Sequence, residues 1–284
     1  MTAETDTAPR PALRATGVWH SYRASTRRRA PATPALANVS FTVTAGETLG
    51  LVGRSGSGKS TLLRILLALE RPTDGEIHLD GERIRPGSVR SLRSFRRRVQ
   101  YIPQDPAASL DPRMSVEQLV REPLARLDVA GQHQHLVRTA LDGVGLPASL
   151  HRQRVRELSG GQAQRVAIAR ALATSPHFLL ADEPVSGLDL PRRNRVLDLL
   201  AGLAQHRALG LIFVSHDLDA VSRLCSRSIV LHAGRVVEAG PTRDLLDHPC
   251  HPATQELVEA VPRLPAPRHP FTDPTPFTAR PRTT

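Results

Sequence analysis

Short apolar runs that stop at a glycine or a polar residue recur along the chain, and helical stripes separate them. "FTVTAGETLGLVG" (41–53) carries strand-forming residues up to a glycine, and "GKSTLLRILLALE" (58–70) then shows the continuous apolar stripe of a helix. "RVQYIPQ" (98–104), "HFLLADEP" (177–184) and "LGLIFVSHDL" (209–218) are further short apolar runs ending on polar residues. "SIVLHAGRVVEAG" (228–240) reads as a hairpin turning at Ala233-Gly234. Strands alternating with helices imply a mostly parallel α/β sheet. Residues 105–157 break the alternation, being polar and helical with few strand signals, and read as an inserted helical subdomain. The ends, 1–10 and 263–284, are rich in Pro, Thr and Arg and read as poorly ordered tails. "ASTRRRAPATPA" (24–35) reads as a basic loop between two strands, and no internal repeat is found.

Composition narrows the class without changing that layout. The 284 residues are 40% hydrophobic, 23% charged and 3% aromatic, enough for a sizeable core. No apolar run approaches the roughly 18 residues of a membrane span. The opening "MTAETDTAPRPALR" has no apolar segment of a secretory signal. Two cysteines, Cys225 and Cys250, make no disulfide framework and fit a reducing cytoplasm. The net charge of +11 admits nucleic acid, an anionic membrane face or phosphate-bearing ligands. Its arginines are spread widely, so it reads as a matter of usage, and nucleic acid is not an expected partner. "RSFRRR" (93–98) reads as a solvated basic face. "HQH" (133–135) and "HPCH" (248–251) lack the partner ligands that a metal site needs.

Among 38 Lys and Arg, the chain has a single lysine, Lys59, and it lies in "GRSGSGKST" (53–61). The stretch fits G-x-x-x-x-G-K-[ST] through Gly53, Gly58, Lys59 and Ser60, after an apolar strand and at the start of a helix. Gly53, Gly56 and Gly58 let the backbone curl so that successive N–H groups face phosphate oxygens, and the helix start adds its positive end. A lysine is a compact charge that reaches the β- and γ-phosphates from within such a loop, whereas the wide guanidinium fork does not fit the concavity. Ser60 offers a hydroxyl to Mg²⁺. By itself this loop says NTPase or nucleotide binder, with the phosphates cradled by Gly53, Arg54, Ser55, Gly56, Ser57, Gly58, Lys59, Ser60 and Thr61; the ATP and Mg²⁺ expected as cofactors follow from the resemblance below.

"FLLADEP" (178–184) supplies the other half of such a site: an apolar strand ending in Asp182, placed to orient Mg²⁺, and Glu183, placed as general base toward water. "LSGGQ" (Leu158–Gln162) opens the helical run "AQRVAIARALA" and resembles the signature of ATP-binding cassette (ABC) proteins. Other family positions match in order over about residues 13–262. Tyr22 lies where the family stacks an aromatic ring on adenine. Gln104 of "YIPQD" resembles the Q-loop residue that touches Mg²⁺ and the lytic water. "SGLD" (186–189), ending in Asp189, resembles the D-loop, and His216 of "VSHD" resembles the switch histidine at the γ-phosphate. Lys59, Gln104, Glu183 and His216 are thus the expected catalytic set, and Ser60, Gln104 and Asp182 the expected Mg²⁺ holders. Ser159, Gly160, Gly161 and Gln162 form a second anion site at a helix N-terminus. The resemblance implies a P-loop NTPase (RecA-like) α/β fold with an antiparallel β subdomain. It places the cassette over 11–262 and its inserted helical signature subdomain over about 105–175. In the family the two half-sites lie far apart within one subunit, and two subunits packed head to tail complete the ATP site.

Further segments resemble the ATPases of dipeptide, oligopeptide and nickel importers. "SLDPRMSVEQLVREPL" (109–124) is similar to their stretch after the Q-loop, with Asp111 where Asn is usual. "DEPVSGLD" is near their form, with Gly187 for a common Ala, and "GRVVEAGPTRDLLDHPCHPATQELVEAVP" (234–262) is similar to their C-terminal extension. "RVRELSGG" lacks the Pro-His-Glu-Phe lead-in that many members carry. The resemblance implies an ATPase for uptake of peptides, nickel or a related small solute, peripheral on the cytoplasmic face of the inner membrane. Its partners would be two transmembrane permease subunits, met by residues around 105–125, and a second cassette, another chain or itself. An extracytoplasmic solute-binding protein would feed the permeases. The alternative is a cassette ATPase of a soluble complex, of carbon–phosphorus lyase or DNA-repair type.

Overall fold

The computed structural model describes residues 10–22 and 34–260. The proposed tails and most of the basic loop at 24–35 lie outside the described residues. Two sheets carry the fold. A four-stranded antiparallel sheet has the order β2-β1-β4-β5, from β1 (Ala12–His20), β2 (Leu36–Thr44), β4 (Asp74–Leu79) and β5 (Glu82–Ile84). A six-stranded sheet has the order β10-β9-β3-β8-β7-β6, from β3 (Thr48–Val52), β6 (Val99–Ile102), β7 (Phe178–Asp182), β8 (Gly210–Val214), β9 (Arg227–His232) and β10 (Arg235–Pro241). Within it β6, β7, β8, β3 and β9 run parallel, and β10 closes the edge antiparallel to β9. The expected hairpin turns at Ala233 (φ 48°) and Gly234 (φ 76°), two positive φ values in succession, as a type I′ turn needs.

The residue patterns explain which sheet is which. The run Gly210–Val214 is buried at every position, as in a strand covered on both faces, whereas β1 alternates buried and exposed residues, as in a half-covered one. One face of the six-stranded sheet presents Leu49, Leu51, Phe178, Leu180, Ile212 and Val214 to helix α1 (Lys59–Leu66) and the antiparallel sheet. The other face presents Leu179, Ala181, Leu211 and Phe213 to helices that include α6 (Leu190–His206) and α7 (Leu218–Leu224). Gly210 is held by space: a Cβ there would sit 2.5 Å from the Phe178 ring.

Between β6 and β7 the chain leaves the sheet for α3 (Val116–Arg126), α4 (His133–Gly143) and α5 (Gly160–Leu172), the inserted helical region expected from sequence. Its one β feature is an isolated bridge between Ser115 and Arg154. Ser115 caps α3 in a reciprocal box with Gln118. The helix expected over 58–70 ends earlier, at Leu66. Ala68 turns left-handed (φ 52°), and the N–H groups of Leu69 and Glu70 close back on Arg64 O. That early stop brings Glu70 beside β1. Short α2 (Arg93–Arg98) precedes β6. α8 (Thr242–Asp247) and α9 (Pro252–Glu259) follow β10 and lead back toward the C-terminal end of β3. Among the described residues no helix is long and apolar enough to cross a membrane.

Candidate functional site

The C-terminal ends of β3, β7 and β8 open into one cavity of about 850 Å³, the crevice where open parallel sheets take ligands. The glycine-rich loop after β3 forms its floor. Gly58 precedes α1 with φ 110°, and a Cβ there would lie 2.6 Å from Ala35 O, so only glycine makes this turn. No side chain caps α1, which leaves its first N–H groups facing the cavity. Lys59 is 8% exposed, and its Nζ donates to Gly53 O at 2.6 Å and Arg54 O at 2.9 Å. Burial lowers its pKa, against the opposing pull of Glu183 and Asp182. Ser57 is buried and supports the loop, its carbonyl accepting from Gly234 N–H at 3.0 Å.

β7 delivers Asp182 and Glu183 to the same cavity in different ways. Burial pushes the Asp182 pKa up, the Tyr101 hydrogen bond opposes this, Glu183 adds to the rise and Lys59 counters it. Glu183 lies past the strand with φ 44°, its N–H bonded to Val214 O, and its Oε1 stands 3.1 Å from Nδ1 of His216. A non-glycine residue held at positive φ beside a chemically active cluster is a frequent mark of a working site. Gln104, after β6, reaches the cavity from the neighbouring strand. The hydroxyl of Ser60, the carboxylate of Asp182 and the side-chain amide of Gln104 are oxygen donors among the residues lining this space. That set suits a hard divalent cation such as Mg²⁺.

At the mouth, Tyr22 is 48% exposed, with its ring edge-on to His20 at 4.8 Å between centroids. Its hydroxyl lies 3.1 Å from Thr61 Oγ1 and donates to Glu70 Oε2 at 3.4 Å. Arg54, Ser55 and Gly56 line the rim. Leu257 on α9 and Ala260 just past its end also line the cavity, and Glu256 on that helix pairs with Arg54 at 2.9 Å. Both partners of that pair are largely exposed, so it adds little stability.

The remaining expected residues do not join this cavity. Gly160 and Gly161 line a second one of about 400 Å³, together with Asp105, Pro184 and Ser186. Gln104 borders both. Ser159 caps α5, its hydroxyl accepting from Gln162 N–H while Gln162 Oε1 accepts from Ser159 N–H. A Cβ on Gly160 or Gly161 would meet nothing within 4 Å. Asp189 caps α6 by accepting from Arg192 N–H at 2.9 Å and borders neither space. The Lys59 loop and the start of α5 therefore line separate cavities within one chain.

Several supports were not read from sequence. Tyr101 donates to Asp182 at 3.2 Å, and its pKa is pushed up to about 12 by burial and by that carboxylate. Arg193 on α6 pairs with Asp217 at 3.1 Å, holding the segment after His216. Buried Gln164 on α5 donates to Pro184 O at 2.7 Å, tying the signature helix to the turn after Glu183. Each joins residues distant in sequence, so no local spacing signals them. The basic run on α2 is spent internally: Arg97 donates to Leu127 O, and Arg98 pairs with Asp80 and Glu82.

Comparison with known proteins identifies the family and the fold. The sequence model of the ABC transporter family matches residues 36–186. A protein of Brucella ovis named as a peptide import ATP-binding protein is 45% identical over 229 residues, covering 80% of this chain and 72% of that one. A second so named, from Brucella abortus, is 44% identical over 235 residues, covering 81% and 70%. Among solved structures, a dimeric ATP-binding cassette in a post-hydrolysis state with ADP and Pi superposes with TM-score 0.70 at 29% identity, covering 81% of this chain and 99% of its own. CbiO1 of Clostridium perfringens, part of the CbiONQ ABC transporter complex, gives 0.73 at 27% identity, covering 83% and 90%.

Proposed function

The chain belongs to the ABC transporter family of ATP-binding proteins, and from that premise we propose that it is the ATP-hydrolysing subunit of a peptide importer. Separate permease subunits would form the path. The observation that carries the mechanism is that Lys59 and the pair Gly160–Gly161 line different cavities of one chain.

ATP would lie with its phosphates along the loop from Gly53 to Thr61 and its adenine against Tyr22. The Lys59 ammonium, now held by two loop carbonyls, is within the loop's reach of the β- and γ-phosphates. Ser60, Asp182 and Gln104 would hold Mg²⁺, which neutralises charge on the phosphate oxygens when bound. Glu183 accepts the proton of the attacking water, and His216, 3.1 Å away, fixes the carboxylate and reaches toward the γ-phosphate. Ser159, Gly160, Gly161 and Gln162 of a second cassette would close over the same phosphate. Groups supplied in trans are worth about 10³–10⁵ in rate in related phosphoryl transfer. The isolated chain is accordingly a slow ATPase.

The importer assignment rests on the two relatives named for peptide import and on their coverage of most of this chain. The chain would sit peripherally on the cytoplasmic face of the membrane, with residues around 105–125 toward the permeases. Gentle purification of the tagged chain from its native cells, at native expression, tests this. Two membrane-spanning chains with one more cassette protein are expected, and uptake by the reconstituted complex should follow peptides. A soluble assembly without permeases overturns the transport assignment. Uptake of nickel in place of peptide overturns the substrate class alone.

A further inference from the structure

The hydroxyl of Tyr101 is the contact to Asp182 that neither the loop nor the signature supplies. β6 pairs with β7 in parallel, with Tyr101 opposite Leu180, so both side chains leave the sheet on one face. Asp182, two residues beyond Leu180, leaves on that face as well. The two partners are therefore diagonal neighbours, a separation that an aliphatic side chain on β6 does not span and a tyrosine does. The phenol oxygen reaches Asp182 Oδ2 at 3.2 Å.

The ring that carries this oxygen packs against the core that contains Leu180 and Phe178. It also lines a groove of about 410 Å³ between the sheet and the helical region, beside Leu67, Val99, Pro103 and Leu127. The core contact is what anchors the half-buried ring that presents the hydroxyl. Hydrogen-bonded partners that orient metal-binding carboxylates typically change metal affinity or activity by about 10–100-fold when removed.

We propose that Tyr101 is a positioning residue for the reaction: its O–H holds the Asp182 carboxylate in the orientation that receives Mg²⁺ together with ATP. This rests on the reading of Asp182 given above. Tyr101 does not line the cavity around Lys59, and its effect passes through Asp182.

Tyr101→Phe keeps the ring in the groove and removes only the donor. Equilibrium binding of a fluorescent ATP analogue to the full chain would be measured in EDTA and across a Mg²⁺ series. Tyr101→Phe is expected to bind as wild type in EDTA, with an unfolding midpoint at pH 7 slightly below wild type because the ionised Asp182 loses its donor. It should need about tenfold more Mg²⁺ for half of the metal-dependent gain in affinity. Tyr101→Leu, which loses both ring and donor, should shift the Mg²⁺ midpoint at least as far. A Mg²⁺ midpoint in Tyr101→Phe equal to wild type overturns the proposal, whether or not Tyr101→Leu is shifted. Asp182→Asn, run alongside, separates the two levels. If it removes the metal-dependent gain while Tyr101→Phe behaves as wild type, only the positioning role fails. If Asp182→Asn itself titrates as wild type, the assignment of Asp182 fails with it.

Discussion

Lys59 and Asp182 are ionisable groups taken partly out of water, and each is pushed toward its neutral form. For Asp182 the sign of the stability effect follows directly. Its folded-state pKa lies above the ordinary value of 3.8, so the folded chain binds this proton more tightly than the unfolded one. The stability it contributes is present below that ordinary value and is lost as pH rises through the folded pKa. Asp182→Asn should therefore raise the unfolding midpoint of the ligand-free chain at pH 7 to 8, with the gain shrinking toward zero as pH falls toward 4. Thermal unfolding across that range checks it, and a variant less stable than wild type at pH 8 contradicts it. Lys59→Ala loses charge-assisted bonds to phosphate, each worth about 1.5–3 kcal/mol. ATP affinity should thus fall by at least about tenfold in an otherwise folded chain, read by equilibrium binding. The single lysine, the glycines around it and the acidic pair were legible in the sequence because contiguous residues build them. Tyr101 was not: its role depends on strand order, which places β6 beside β7.

At the scale of elements, the start of α5 carries more than its own helix. Ser159 and Gln162 satisfy each other as a capping box, which pairs their own N–H groups but not those of Gly160 and Gly161. Gly160 and Gly161 have no such internal reason to be glycine, since a Cβ on either meets open space and neither has positive φ. Their smallness answers an approach from outside the chain. Gly161→Ala should leave the unfolding midpoint unchanged or slightly raised, because alanine exceeds glycine in helix preference by up to about 1 kcal/mol. Nucleotide binding by the separate chain should be unchanged, while turnover of the assembled transporter falls at least about tenfold. Unaltered turnover would show that no partner surface closes on this helix. The sequence made the helix and the inserted region visible, since each is a local pattern, whereas it presents Ser159 as an anion ligand and not as the cap it forms. The early end of α1 at Leu66 escaped it because the apolar stripe continues to Leu69. The stop is set by the left-handed turn at Ala68.

At the scale of the whole molecule, the Lys59 loop and the start of α5 face different cavities that share Gln104 at their borders. On the function proposed above, a second cassette brings its α5 start to the phosphate, and the complete site takes two cassettes. Glu183→Gln keeps the shape of the side chain and removes the base. It should therefore hold ATP and accumulate a closed dimer that wild type passes through. Light scattering with ATP and Mg²⁺ reads this out, and hydrolysis at the wild-type rate by this variant would show that Glu183 is not the base. Net charge then separates a pair of identical chains from a mixed pair. Two copies, each carrying +11, repel across the interface, and salt screens that repulsion over a Debye length of about 10 Å at 0.1 M. A self-dimer of Glu183→Gln should tighten as salt rises from about 0.05 to 0.3 M. A mixed dimer with a cassette of opposite net charge should loosen over the same range. If the variant stays monomeric with ATP at every salt concentration and dimerises only when the second cassette is added, the working unit is the mixed pair.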